Sequence, residues 1–389
     1  MRWLFIKTLP AMLLLHSASA GLAHGRGGRL KVVKTTTNAN GQVIDWIVPE
    51  SQDRIATRPP PPPKGKNSAQ PMNTEKLIPA MDGPKGTVPI LRSRGPTLPI
   101  KRLPEPEDDG AGANQTRAMA SSYAGRHWYA SSSQGVANRG GRAAFSLFKA
   151  YVQSGSDFSL LQTAVIRGSA AHAGTGPVMQ TVEAGWINYP NQAQPPHLFS
   201  YFTTNGHGPV GDGLGGWNRE HAGWVQVDEI IYPGVPIAPV AVDGGTQSEA
   251  EMGFVLFEGN WWLWVLGRWA GYYPGSLFSR DVEARDTLEG GANRINFYGE
   301  IYNSGPQMTT TDMGSGEFPE SGFGHAAYLH NMVYLDADDG RVSHDFDGSA
   351  EIIVSDRDRY RIQPSFKSGG SWGSYLYVGG PGAGGVVGR

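Results

Sequence analysis

The stretch MGFVLFEGNWWLWVLG, residues 252–267, consists mainly of aromatic and branched apolar residues interrupted by glycine. Similar short runs recur from residue 143 to residue 379, including FSLLQTAVI, RINFYGEIY and EIIVSD, with Gly, Pro or Asn between them. Such runs are typical of β-strands, and many of them at close spacing favour an antiparallel sandwich or barrel. Helical periodicity is weak throughout. The sequence therefore predicts an all-β fold, a curved antiparallel β-sandwich.

Residues 1–20 have the organisation of a secretory signal peptide. Arg2 and Lys7 flank the apolar stretch 9–15, which is followed by small residues up to Ala20. The apolar stretch is far shorter than the roughly 20 residues that span a bilayer. We therefore expect cleavage after Ala20, with Ala23 as the second choice, and a secreted protein, extracellular or periplasmic in a Gram-negative bacterium. No membrane association is expected once the signal is removed.

A proline-rich segment, residues 21–120, separates the signal from the main domain, residues 121–389. It begins with a predicted hairpin over residues 30–48, with its turn at Asn40-Gly41. Arg58 and the run Pro59–Pro63 follow, with further prolines up to residue 106. Proline at this density favours an extended, protease-accessible chain.

Charge is distributed unevenly along the chain. Residues 24–120 contain 15 Lys and Arg against 9 Asp and Glu, a net charge of +6, whereas residues 121–389 contain 16 against 26, a net charge of −10. This favours attraction between the two parts, weakening as carboxylates protonate; ordinary solvated surfaces are the alternative. An acidic, aromatic-rich domain does not favour nucleic acid as a partner.

Several enzyme classes lack their required residues. The chain has no cysteine and no H-E-x-x-H motif, and its ten histidines show no zinc-like spacing. The G-x-S-x-G match at 369–373 has no Asp or His after it, so we interpret it as a turn. The acidic DADDG at 336–340 has its glycine one position early for a calcium loop and is also predicted to be a turn. We expect no metal and no cofactor.

Two carboxylates stand within apolar strand-like runs. Glu183 lies in TVEAGW (181–186) and Glu300 lies in INFYGEIY (295–302). Alternation in the second run places Asn296, Tyr298, Glu300 and Tyr302 on one face of the strand. A carboxylate among tyrosines and an amide suggests the floor of a binding groove; an exposed sheet face with a scattered glutamate is the alternative.

Seven blocks of the sequence resemble, in order, the neprosin domain. They are TVEAGWINYP, PPHLFSYFTTNG, GGWNREHAGWVQ, GNWWLWVLGRWAGYYPGSLF, FYGEIYNS, TTTDMGSGEF and WGSYLYVGGPG, and they cover roughly residues 140–382. The segment TTTNANGQVIDWIVPESQ also resembles the activation peptide that precedes this domain in family members.

The resemblance implies a glutamic peptidase with a curved sandwich of the glutamic-peptidase or concanavalin-like jelly-roll type. It implies two catalytic glutamates, matching Glu183 and Glu300, and prolyl endopeptidase activity at acidic pH after loss of a propeptide within residues 21–120. The partners it implies are proline-containing polypeptides and the chain's own propeptide. Plant members carry cysteines where this sequence has Gly216, His221 and Trp46, which leaves the nearby loop and the proline preference open.

Peptide hydrolysis by two carboxylates requires one group to deprotonate water and another to protonate the leaving amine. We expect the pair to share one proton, so that activity is confined to acidic pH. Candidate substrate-binding residues are Trp186, Tyr298, Trp261 and Trp262, with Gln162 and Gln226 as candidates for orienting water or an oxyanion.

Two other functions are compatible with the sequence. One is a non-catalytic β-sandwich that binds carbohydrate or proline-rich peptide, since one scaffold hosts many functions. The other is a glycoside hydrolase, which also uses two carboxylates. The position of both glutamates inside neprosin-like blocks favours the peptidase.

Overall fold

The computed structural model describes residues 30–52, 55–56, 58–63, 83–93, 97, 103–104, 122–206 and 214–385. The predicted signal peptide lies outside the described residues, as does most of the segment between residues 64 and 121. Within the described ranges, none of the helices has the length and apolar character that crossing a bilayer requires.

The described chain is built almost entirely from strands. They are β1 (Val32–Thr37), β2 (Val43–Ile47), β3 (Val88–Leu91), β4 (Arg126–Ser146), β5 (Phe158–Ala170), β6 (Val178–Tyr189), β7 (Ala193–Thr203), β8 (Gly215–Trp217), β9 (Val225–Gln226), β10 (Glu249–Phe257), β11 (Asn260–Val265), β12 (Arg268–Pro274), β13 (Ala292–Asn303), β14 (Ala327–Asp336), β15 (Ser343–Asp345), β16 (Glu351–Val354), β17 (Arg361–Ser365) and β18 (Tyr375–Gly379). Short 3-10 turns cover Pro49–Gln52, Gly275–Leu277, Ala284–Asp286 and Pro319–Ser321. The all-β prediction is confirmed.

Fifteen of these strands form one continuous antiparallel sheet, which the long strand β4 divides into two layers. The first half of β4 pairs with β13 and β16, and its second half pairs with β10 and β14. The front sheet therefore has the order β8-β7-β6-β5-β13-β4-β16. The back sheet has the order β9-β12-β11-β10-β4-β14, with β15 and β18 beyond β14 and β17 paired to β18.

Gly140 lies in β4 between the portions that pair with the two sheets. Its φ is +112°, a conformation that residues with a Cβ rarely adopt. A Cβ at this position would also lie 2.0 Å from the backbone oxygen of Phe254 on β10. Glycine thus allows the change of direction and the close approach of β10 together.

The main hydrophobic core lies between the two layers. Alternate residues of the front sheet, such as Trp186 and Phe297, meet alternate residues of the back sheet, such as Phe254 and Trp261. The other face of each sheet carries its own smaller apolar clusters. The molecule consequently has two outer faces, one on each side of the core.

The N-terminal strands form a separate antiparallel sheet in the order β1-β2-β3, which confirms the predicted hairpin. This sheet is docked on the main domain, because Ile44 and Trp46 are buried in the main core. The Gln42 side chain donates to the carbonyl of Gly234 at 2.8 Å, and that of Gln52 donates to the carbonyl of Gln226 at 2.8 Å.

The two turns predicted from the sequence, at the glycine-rich residues 369–373 and at the acidic residues 336–340, are both present. Residues 369–373 form a turn before β18, with the N–H of Gly373 bonded to the carbonyl of Gly370 at 3.1 Å. In the DADDG segment, the carboxylate of Asp336 accepts the N–H groups of Asp338 and Asp339 at 2.8 and 3.0 Å. Both motifs are explained by local backbone geometry.

Candidate active site

Glu183 and Glu300 lie on the same outer face of the front sheet, and both are fully buried. Glu183 is on β6 opposite Ala164 of β5, and Glu300 is on β13 opposite Leu160 of β5. Two strand spacings and four residues along β5 separate their Cα atoms by on the order of 15 Å along the sheet. Gln162 and Tyr298, which are opposite each other on β5 and β13, occupy the positions between the two glutamates.

Glu183 is held by three donors. Thr181 Oγ1 donates to its Oε1 at 2.8 Å, and Gln162 Nε2 donates to its Oε2 at 2.9 Å. The Tyr298 hydroxyl lies 3.4 Å from the same Oε2. A buried carboxylate requires such compensation for its lost hydration, and these bonds fix its orientation as well.

Glu300 has a different principal partner. The Nδ1 atom of His127, on β4, lies 2.7 Å from its Oε1. His127 is itself almost buried and packs against the ring of Tyr302, with centroids 5.0 Å apart. The two glutamates thus sit in distinct hydrogen-bonding environments, a condition under which paired carboxyl groups take different roles.

The tyrosines around the pair remain protonated. Burial, and then the negative charges of Glu183 and Glu300, raise the pKa of Tyr298 well above its usual value. Burial and the same two charges also raise the pKa of Tyr201, which is opposite Glu183 on β7. Each hydroxyl therefore stays a hydrogen-bond donor across the acidic and neutral range.

An aromatic wall flanks the glutamates on the same outer face. It is defined by a buried cluster that Tyr302 also contacts: Phe158, Leu160, Ile187, Tyr189, Phe199, Tyr201 and Trp217. A cleft of about 370 Å³ adjoins the wall, and its lining includes Tyr189, Tyr302, Arg92 and Thr97.

The structure places the predicted site residues unequally. Gln162 and Tyr298 are beside Glu183, at the positions given above. The prediction is wrong for Trp186 and Trp261, which are buried in the main core. Trp186 is three positions from Glu183 in a strand, so it points to the opposite face, where its Nε1 donates to the carbonyl of Phe148.

Trp262 and Gln226 are also not brought to the glutamates. Trp262 lies on the outer face of the back sheet, across the core from Glu183. The side-chain amide of Gln226 is occupied by local bonds, donating to the carbonyl of Ile231 at 2.7 Å and accepting from Trp224 Nε1 at 2.8 Å. Its role is therefore to hold the loop that precedes residue 232.

Sequence reasoning missed His127, Thr181 and Tyr201. Thr181 and Tyr201 follow from strand alternation and pairing around Glu183, but that pairing is not visible in the sequence. His127 lies in RHWYASSS (126–133), and the serines of this stretch are not typical of a strand, so the first half of β4 was not predicted. The alternation of His127, Tyr129 and Ser131 was the available signal.

None of the residues within the described ranges form a group of three or more His, Asp or Glu side chains arranged to hold a metal ion.

Comparison with known proteins gives one family match and two similar solved structures. The Neprosin family matches residues 155–381, more than half of the 389 residues. A scytalido-glutamic peptidase structure with a peptide-based transition-state analogue is 8% identical, has a TM-score of 0.32, and covers 66% of this chain and 98% of its own. A second one, with a transition-state analogue inhibitor, is 10% identical, has a TM-score of 0.31, and covers 65% and 97%.

The family match spans both strands that carry the candidate glutamates, β6 and β13. Its extent shows that the chain is a member of the neprosin family, which implies a peptidase.

Proposed function

We propose that this protein is a secreted, acid-acting glutamic endopeptidase that cleaves polypeptides on the carboxyl side of proline, with Glu183 and Glu300 as the catalytic residues. The observation that carries the proposal is the burial of both glutamates on one sheet face, with Gln162 and Tyr298 between them. Buried carboxylates are costly, and a stable core does not require two of them.

In the proposed mechanism, one glutamate removes a proton from the attacking water and the other donates a proton to the leaving amine. The separation of the two strands favours a substrate lying over Gln162 and Tyr298, with the attacking water at the glutamate that acts as base and the leaving amine at the glutamate that acts as acid. This replaces the direct sharing of a proton that the sequence suggested. In the proposed mechanism, Gln162 and Tyr298 turn their donors from Glu183 to the tetrahedral oxyanion as it forms. Exchange of protons with solvent after product release restores the starting protonation of both glutamates.

An acidic optimum follows from this chemistry. The general acid must hold a proton before the reaction starts, and carboxylic acids hold theirs only at low pH. An ionised carboxylate has no proton to donate to the leaving amine, so activity is expected to fall as the pH rises.

We propose that the aromatic wall binds the substrate. Flat rings such as those of Tyr189 and Tyr302, which line the cleft, pack well against the ring of a proline. These residues take the place of the three tryptophans proposed from the sequence.

The segment before the domain is proposed to be an inhibitory propeptide. Leu103 belongs to the same buried cluster as Tyr129 and Tyr298, and Pro104 is buried too. Upstream, the N–H of Thr97 donates to Glu220 at 2.6 Å, and Gln192 Nε2 donates to Thr97 Oγ1 at 3.1 Å. Leu103 packs with Tyr298, which lies between the two glutamates, and Thr97 lines the cleft, so in this proposal a substrate needs the segment to leave.

The test is incubation of the chain without residues 1–20 at pH 3 to 4 and at pH 8, followed by mass spectrometry. A quenched peptide with one internal proline is assayed in parallel. We expect the segment before residue 122 to be lost and the peptide to be cleaved after proline, both only in acid. An intact chain at pH 3 to 4, or equal turnover at pH 8, would contradict the proposal.

A further inference from the structure

The outer face of the back sheet carries a second cluster of aromatic side chains. We define the outer aromatic face as Trp262, Trp264, Trp269 and Tyr272, which pack with Val225, Val255 and Leu335. On β11 the side chains alternate, so Trp261 enters the core while Trp262 points outward. This face is on the far side of the core from Glu183 and Glu300.

Ala56 and residues 58–63 of the chain lie along this face. The backbone N–H of Ala56 donates to the Tyr272 hydroxyl at 2.7 Å. Trp269 Nε1 donates to the carbonyl of Pro60 at 2.9 Å. Proline has no N–H, so its carbonyl is the polar group through which a proline run can be held.

A charged contact precedes the proline run. Arg58 Nη2 lies 3.1 Å from Glu258 Oε1, and its guanidinium is 6.0 Å from the centre of the Phe257 ring. The cation therefore has a fixed place at the amino-terminal end of the prolines. Such a pair contributes little affinity at an exposed site, but it sets the direction in which the segment lies.

The burial of the prolines has the period of a polyproline II helix. Pro60 is buried and Pro63 is half-buried, whereas Pro59, Pro61 and Pro62 are exposed. A repeat of three residues is the period of that helix. Aromatic grooves that read one face of such a helix are a recurrent mode of peptide recognition, because the ligand is already ordered before it binds.

We propose that the outer aromatic face is a binding site for polyproline II segments of polypeptide substrates, occupied within the chain by Arg58–Pro63 until the propeptide leaves. The release of that segment rests on the proposed function, whereas binding itself requires no catalysis. The release would uncover Trp269 and Tyr272, the two aromatic side chains that the segment contacts, and exposed apolar patches mark interaction sites. A substrate held here has a raised effective concentration at the glutamates on the opposite face.

The test measures binding in a catalytically silent full chain. Glu183→Gln is combined with replacement of Pro59–Pro63 by Gly-Ser-Gly-Ser-Gly, which keeps the segment length and empties the face. A synthetic peptide of residues 56–63, ATRPPPPP, is titrated while tryptophan fluorescence is followed. A peptide with Gly and Ser in place of the prolines is the control ligand, and the chain with its native prolines is the control protein.

We expect saturable binding with one site in the emptied chain, weak binding in the chain with native prolines, and none of the control ligand. Adding Trp269→Phe keeps an aromatic side chain, although a smaller one, and removes the N–H donor, which weakens binding about three- to tenfold. Glu258→Gln, a surface change that leaves the fold intact, weakens it less and mainly at low salt.

Absence of binding to the emptied chain, or equal affinity for the control ligand, would contradict the proposal. The contact between Arg58–Pro63 and the outer aromatic face would then serve only to hold the propeptide. Unchanged affinity in Trp269→Phe would contradict the proposal as well. Because the chain is silent, peptidase activity has no part in the result. If no binding is measured, the proposed peptidase function is unaffected. If no peptidase activity is found, the measured affinity of this face for the peptide is unaffected.

Discussion

At the scale of single residues, Tyr298 is the side chain that tests the environment of Glu183 most cleanly. Burial and the two glutamates raise the pKa of Tyr298, so its hydroxyl remains a donor, and it lies 3.4 Å from Glu183. We expect Tyr298→Phe to lower kcat about 10- to 100-fold with little change in KM, because a hydrogen bond to a charged group is lost. Steady-state assays at pH 4 provide the measurement.

Tyr328→Phe is the matched control for that substitution. The Tyr328 hydroxyl also donates to a glutamate, Glu249, at 3.2 Å, on the back sheet. Equal loss of activity in both variants would show a general effect of removing a buried hydroxyl and would contradict a specific role for Tyr298.

His197 makes a separate prediction about stability in acid. Burial lowers its pKa from 6.5 to about 4, opposed by a bond to the backbone of Pro195. The unfolded chain therefore binds this proton first, and stability falls as the pH drops from about 6.5 to about 4. The loss is about 3 kcal/mol.

We expect His197→Gln to remove this part of the pH dependence. In a Glu183→Gln background, which avoids self-digestion, urea unfolding of the chain with His197 loses about 3 kcal/mol more between pH 7 and pH 4 than the variant does. If stability depends on pH in the same way with and without His197→Gln, protonation of His197 is not the cause of the loss of stability in acid.

The candidate site was partly predictable at this scale. Glu183 and Glu300 were conspicuous because a charge in an apolar strand needs a reason, and the alternation around Glu300 correctly placed Tyr298. The tryptophans were not predictable from composition, since adjacent residues such as Trp261 and Trp262 point to opposite sides of a sheet. For Trp186 the alternation from Glu183 already carried the information.

At the scale of secondary-structure elements, the apolar runs after residue 143 predicted strands well. The first half of β4 was missed because its serines resemble a loop, although it pairs with β13 on one side and β16 on the other. Sheet partners on both sides stabilise a strand that its own sequence favours weakly. The consequence was that His127, the partner of Glu300, was also missed.

The β1-β2-β3 sheet contains an acid-labile contact. Although burial opposes it, hydrogen bonds from Arg92 and Thr35 lower the pKa of Asp45 below 3.8. A lowered pKa means that the contact stabilises the sheet above about pH 3.8 and is lost as the pH falls further. Glu220 acts in the other direction, because burial raises its pKa and protonation favours its buried, docked state.

We expect Asp45→Asn to shift self-processing to higher pH, since the contact is then missing at every pH. The measurement is the fraction of processed chain after a fixed time, followed on gels from pH 3 to pH 6. Asp339→Asn removes a comparable pair with Arg341, an exposed ion pair on the main domain, and serves as the control. A processing profile identical to that of the unmodified chain would contradict a role for Asp45.

At the scale of the whole molecule, opposite net charges predicted that the two parts of the chain attract each other. The structure adds what charge cannot specify, namely that Trp46 and Ile44 enter the main core and that Gln52 bonds to the backbone of β9. Long-range charge sets attraction, whereas a defined docked position needs apolar burial and paired hydrogen bonds. A tryptophan at position 46, where the resemblance led us to expect cysteine in relatives, supplies that burial here.

The central claim is that Glu183 and Glu300 together carry out hydrolysis, and one measurement tests it directly. Tagged Glu183→Gln and Glu300→Gln chains are processed by added unmodified enzyme, repurified, and assayed at pH 4 on a quenched peptide containing proline, beside Glu249→Gln as the control. Both variants are predicted to lose about 10³-fold or more of kcat, with the double variant no worse, because the pair acts as a unit. Near-normal turnover by either variant, in a folded and processed chain, would contradict the assignment.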